Sequence, residues 1–130
     1  MKTPSKARVL LIEPDVYLAN KYQKILQSNH VCIFHFTTAG EAINNLDKVN
    51  PDLIILEVLL KGNNGIEFIY ELRSYSDLQN LPVILLTYLP KRDFNLSIEQ
   101  EKILKIKDYL CKTNISLIDL ITSVKRELKV

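Results

Sequence analysis

Glu57 closes the apolar run Leu53-Ile54-Ile55-Leu56 and precedes a turn-rich stretch, Lys61-Gly62-Asn63-Asn64-Gly65. A carboxylate at the carboxyl end of a hydrophobic strand stands where open parallel sheets place their chemistry. Three other apolar runs end in groups of complementary type. Glu13-Pro14-Asp15 follows Ala7-Arg-Val-Leu-Leu-Ile12, Thr87 ends Pro82-Val-Ile-Leu-Leu-Thr87, and Lys112-Thr113 follows Asp108-Tyr-Leu-Cys111. Carboxylates hold a hard divalent cation, while a hydroxyl and an ammonium meet phosphoryl oxygens, so the set suits phosphoryl chemistry. A strand end is polar wherever it meets solvent, and that explains any one of these residues. It explains all of them together poorly.

Elements that bring such residues together must run parallel, with their carboxyl ends at one edge. The chain alternates short apolar runs with helical periodicity. Residues 7–12, 31–36, 53–58, 82–87 and 108–111 read as strands. The first and third have almost no polar residues, as parallel strands covered on both faces should. A helix from about Asp15 carries Leu18, Tyr22, Ile25 and Leu26 on one face. Thr38-Ala-Gly-Glu41 and Ser97-Ile-Glu-Gln100 are capping boxes that open the second and fourth helices. Asn50-Pro51 stops the second. Ile66, Ile69 and Leu72 mark a third after Gly65, and Leu117, Leu120, Ile121, Val124 and Leu128 line the fifth. Five βα units in sequence predict an α/β fold, a doubly wound five-stranded parallel sheet with five helices. Handed crossovers and the flavodoxin-like order 2-1-3-4-5 bring the ends of the first and third strands together at the switch point. The expectation is a single domain over residues 1–130, with its core at about 7–128 and a flexible N-terminus at 1–6.

The stretch Pro51-Asp-Leu-Ile-Ile-Leu-Glu57-Val-Leu-Leu-Lys-Gly-Asn-Asn-Gly65 resembles the phospho-acceptor segment of response-regulator receiver domains. The resemblance runs from about Arg8 to Leu128 and implies a role for each site residue. Glu57 stands at the acceptor aspartate. Glu13 stands at the first of two adjacent acidic residues and Pro14 at the second, which in the family usually ligates magnesium. Asp15 follows, where many members carry another acid. Thr87 matches the hydroxyl residue that contacts the phosphoryl group, Lys112 the family lysine, and Tyr109 the aromatic that moves on activation. Lys61 replaces a common proline, Tyr88 a small residue that leaves the site open, and Thr113 the proline after the lysine.

These departures point one way. Magnesium wants near-octahedral oxygen ligands at about 2.0–2.1 Å. Pro14 supplies no side-chain oxygen, so Glu13 and Glu57 remain as the metal positions and magnesium binding is expected to be weak or lost. Glu57 reaches one methylene further than aspartate, and phosphoryl transfer depends on in-line positioning at the ångström level. Tyr88 narrows access for a donor. Asp15, at the first helical turn, is expected to cap the helix or face water. Lys112, at a buried strand end, needs an anion and is expected within ion-pair reach of Glu57 or Glu13. The Lys112–Thr113 peptide is expected to be trans, because the cis form costs ~2.5–4 kcal/mol before a residue other than proline. Two meanings of Glu57 stay open here: its charge imitates part of a phosphoryl group, or the site has decayed and the pair is structural.

Composition sets outer limits. Of 130 residues, 47% are hydrophobic, which suits a folded domain with a real core. A formal net charge of +2 gives no basic field for nucleic acid or a membrane surface. No apolar stretch approaches the ~20 residues of a membrane span, so the cytoplasm is the expected compartment. Cys32 and Cys111, with His30 and His35, show no metal-ligand spacing, and the cysteines read as small core hydrophobes. The loop Glu13-Pro-Asp-Val lacks the glycine- or hydroxyl-rich character of a phosphate cradle, which argues against a flavodoxin-like cofactor enzyme. No cofactor and no enzymatic activity are expected.

The candidate partner or self-association surface is the face of the fourth helix, fifth strand and fifth helix. It carries Lys102, Lys105, Lys107, Lys112, Lys125 and Arg126, with Glu99, Glu101 and Asp108 between them. Leu89 and Phe94 are expected to be exposed beside it. The reading is a stand-alone atypical receiver that binds a protein partner in signal transduction and is not phosphorylated. The alternative is a phosphorylation-competent receiver of a two-component phosphorelay.

Overall fold

The computed structural model describes residues 6–28, 30–62 and 64–129. The expected flexible N-terminus falls, for residues 1–5, outside the described residues. Strands β1 (Ala7–Ile12), β2 (Val31–Phe36), β3 (Leu53–Leu56), β4 (Val83–Thr87) and β5 (Ile106–Cys111) form one parallel sheet in the order β2-β1-β3-β4-β5. That is the predicted order. Helices α1 (Val16–Leu26), α2 (Ala39–Asn44), α3 (Leu46–Val49), α4 (Gly65–Arg73), α5 (Ile98–Ile103) and α6 (Leu117–Leu128) lie between and after the strands. The fourth and fifth helices of the sequence reading are therefore α5 and α6.

The second helical stretch differs from its expected form, being broken into α2 and α3 at Asn45. Asn45 Nδ2 donates to the Glu41 carbonyl at 2.7 Å, while the Asn45 N–H turns to the Ala42 carbonyl. A side chain that takes the helix's own acceptor interrupts the ladder. The predicted start holds, with Thr38 Oγ1 accepting from the Glu41 N–H.

Two apolar layers sandwich the sheet. Leu10, Ile12, Ile54 and Leu56 face α2 to α4, while Val9, Leu11, Leu53 and Ile55 face α1 and α6. All eight are essentially inaccessible. Burial on both faces is why these strands show no polar alternation in the sequence. Each such side chain contributes roughly 1.5–3 kcal/mol of burial. Cys32 and Cys111 are free and only half-buried, so neither is the core residue the apolar context predicts. Both lie on β2 or β5, the edge strands, where one side lacks a neighbour.

Candidate functional site

The sheet's ladder continues one residue past the strands. The Glu13 N–H donates to the Phe36 carbonyl at 3.0 Å, Glu57 N–H to Ile12 at 3.0 Å, and Lys112 N–H to Thr87 at 2.9 Å. Ile12 pairs with Leu56 across β1 and β3, so Glu13 and Glu57 emerge side by side at the switch point. The loop after Glu57 folds back on itself, with Gly65 N–H donating to the Val58 carbonyl at 2.9 Å. A Cβ at Gly65 would lie 2.5 Å from Val58 Cα, so this closure requires glycine.

The Lys112 ammonium sits between the two carboxylates. It donates to Glu13 Oε1 at 2.5 Å and to Glu57 Oε1 at 2.9 Å. Glu57 Oε1 also accepts from the Tyr88 N–H at 3.2 Å. Glu57 Oε2 accepts from the Leu59 N–H at 3.1 Å and from the Thr87 hydroxyl. Glu13 Oε2 accepts from the Asp15 N–H at 3.0 Å. Glu13, Glu57 and Thr87 are 2%, 4% and 0% exposed, and the lysine side chain is 2% exposed. Desolvated charges are tolerable only when paired and hydrogen-bonded, and here both carboxylates share one cation. The Tyr88 ring covers that cation at 4.9 Å from its centroid. Tyr22, buried on α1, feels the same charges. Burial, then Glu13, Tyr88, Glu57 and Asp15, push its phenol well above the usual tyrosine range.

A chain of hydrogen bonds leads from Glu57 to the far side of β4. Thr87 Oγ1, which donates to Glu57, accepts from the Leu89 N–H at 3.1 Å. The Leu89 carbonyl in turn accepts from the Tyr109 hydroxyl at 2.8 Å. Phe94 meets the Tyr109 ring edge-on, with centroids 5.3 Å apart. Leu89 and Phe94 are thus half-buried against the core and not exposed as expected. The reason is Tyr109, which lies inward and gives them an apolar wall. The exposed aromatic of this segment is Tyr88.

Of the site residues read from the sequence, Glu13, Glu57, Thr87 and Lys112 meet, and Tyr109 joins them through Leu89. Asp15 does not join. Its carboxylate caps α1, accepting from the Leu18 N–H at 3.1 Å. Pro14 and Lys61 line a neighbouring surface pocket with Thr37, Thr38 and Leu60, and Lys61 is exposed. The Lys112–Thr113 peptide is trans. Sequence reasoning placed Tyr22 only as a core residue of its helix. It missed the main-chain groups of Leu59, Tyr88 and Leu89 altogether, because main-chain donors leave no mark in residue type.

The donor set does not fit the magnesium ion that the family's chemistry implies. Pro14 offers no side-chain oxygen, both Glu57 oxygens already accept two hydrogen bonds each, and Glu13 is committed to Lys112 and Asp15. Among the described residues, no three His, Cys, Asp or Glu side chains are grouped to hold a metal ion.

A parallel 2-1-3-4-5 sheet with carboxylates, a hydroxyl and a lysine at its switch point defines a flavodoxin-like α/β domain of the kind used in signalling. The family model of the response regulator receiver domain matches residues 9–125, and the chain belongs to that family. It is 31% identical over 80 residues to the phosphate regulon transcriptional regulatory protein PhoB of Escherichia coli (strain K12). That match covers 62% of this chain and 35% of PhoB, so the chain spans about a third of the curated relative. Among solved structures, the receiver domain of a signal transduction histidine kinase from Syntrophus aciditrophicus is 29% identical, with a TM-score of 0.78. The match covers 95% of this chain and 90% of that one. A sensor protein from Polaromonas sp. JS666 shares the fold at a TM-score of 0.83 and 20% identity, covering 96% and 98% of the two chains.

Proposed function

We propose that this receiver is an atypical one, not phosphorylated at Glu57, and that it works as a protein-interaction module held in one state. The single observation that carries this reading is the coordination of the Glu57 carboxylate. Its two oxygens take the Thr87 hydroxyl, the Lys112 ammonium and the N–H groups of Leu59 and Tyr88. These are donors of the kind that would otherwise meet phosphoryl oxygens. Glu57 therefore stands in for a phosphoryl group without a phosphodonor, and the decayed-site reading gives no reason for every donor to be engaged. The inward Tyr109, bonded to Leu89, agrees with a fixed state at the switching aromatic.

The proposed unit is a single domain over residues 1–130 with its core at about 7–128, acting in the cytoplasm without an enzymatic step of its own. No described helix is long and apolar enough to cross a membrane. The proposed partner is a protein, or a second copy, docking on α5, β5 and α6. The test is intact-mass analysis after incubation with magnesium and a small acyl phosphate. The wild-type chain should stay unmodified, while Pro14→Asp/Glu57→Asp, which restores the missing ligand and the shorter acceptor, should gain a phosphoryl group. Modification of the wild type would favour the phosphorylation-competent alternative. If the double variant stays unmodified, Tyr88 is the next residue to reduce.

A further inference from the structure

Among the six described α-helices, α5 alone has no buried residue. It is six residues long, and its Ile98 and Ile103 are 73% and 68% exposed. A helix this short has no stability of its own in water. Its first turn is closed locally by the Ser97–Gln100 capping box. Its last turn is held from a distance. Arg73, the final residue of α4, donates to the Leu104 carbonyl from Nε at 3.0 Å and from Nη2 at 2.6 Å. Its Nη1 donates to the Leu78 carbonyl at 2.7 Å. Leu104 is the C-cap of α5, so its carbonyl is one that a helix end leaves without a partner. Burial pulls the guanidinium below its usual range, and no carboxylate of the described residues pairs with it. The next residue, Lys105, has φ 58°, a left-handed turn unfavourable for lysine, and beyond it the β4–β5 register shifts.

We propose that Arg73 is a latch: its forked bonds to Leu104 and Leu78 set how often α5 opens from the domain, and with it the turn at Ser76–Leu78. The latch holds in place the least-packed part of the proposed partner face. It does not rest on the reading of Glu57, which lies at the opposite side of β4 from α5's C-terminus. The planar guanidinium reaches two carbonyls at once, which a lysine ammonium on a flexible stem does not reproduce.

The test is hydrogen exchange of the whole chain, resolved by segment. In Arg73→Gln and in Arg73→Lys, amides of residues 99–105 and 76–79 should exchange at least about tenfold faster, as expected for disrupting three hydrogen bonds from a charged donor. Amides of α1 and α6 should keep their wild-type rates. Uniform acceleration across the chain would mean that Arg73 supports global stability only, and unchanged rates at α5 would mean that it holds nothing; either overturns the latch. Lys105→Gly works without touching Arg73. By relieving the left-handed residue it should slow residues 99–105 severalfold, and a rate equal to or above wild type would count against α5 opening as a local unit.

Discussion

Lys112→Met keeps an unbranched apolar stem and removes the ammonium that bridges Glu13 and Glu57. The two carboxylates then confront each other in a site where neither residue is more than 4% exposed. Their oxygens are no further apart than the two bonds to the lysine laid end to end, 2.5 and 2.9 Å. Glu57 keeps Thr87 and two main-chain N–H groups, whereas Glu13 keeps only the Asp15 N–H. Breaking a buried pair by removing one partner costs about 3–5 kcal/mol. With an unfolding entropy of ~2.1 cal/mol/K per residue, that loss lowers Tm by roughly 11–18 °C in a chain of this size. Against a typical total of about 5–15 kcal/mol, the variant is left marginal. Urea denaturation followed by far-UV circular dichroism measures it. Glu13→Gln/Lys112→Met should recover most of the loss, since Glu13 is the less supported of the two. A cost under about 1 kcal/mol would refute a shared buried cation, because it would fall in the range of exposed ion pairs.

Three further outcomes follow from single positions. Gly65→Ala puts a Cβ 2.5 Å from Val58 Cα, a backbone atom that cannot step aside, and should cost about 1–3 kcal/mol in urea titration. Gly40→Ala, with nothing within 4 Å and a helical position in α2, should be neutral or stabilising. Tyr22→Phe should change the alkaline limb of stability: above pH ~10 the unfolded phenol ionises and the folded one does not, so the wild type loses up to ~1.4 kcal/mol per pH unit. The phenylalanine variant should show a shallower slope, and equal slopes for the two proteins would mean that Tyr22 ionises freely in the fold.

Much of the architecture was legible because it depends on near neighbours in the chain. Apolar runs marked β1 and β3 as doubly covered strands, and the helix starts at Asp15 and Ser97 were readable from capping chemistry that acts over three residues. The break at Asn45 was not. The run from Thr38 to Val49 keeps helical spacing, and only the geometry of one amide against the Glu41 carbonyl divides it. Leu89 and Phe94 were misplaced for a related reason. A loop rich in charge reads as exposed unless the inward Tyr109, 20 residues from Leu89, is known to wall it.

The sequence by itself determined which groups stand at the carboxyl edge. The parallel direction follows from short apolar runs separated by helices, and the strand order is that of the flavodoxin-like class the chain resembles; together these bring Glu13, Glu57, Thr87 and Lys112 to one place. Tertiary structure alone decided what those groups do to one another. Lys112 is 99 residues from Glu13 and 55 from Glu57 along the chain. Whether its ammonium bridges both, whether Glu57 gathers two main-chain N–H groups, and whether Arg73 reaches Leu104 depend on distances of a fraction of an ångström. Such distances are set by packed layers and loop closure across the whole domain, and no local pattern of residue types encodes them.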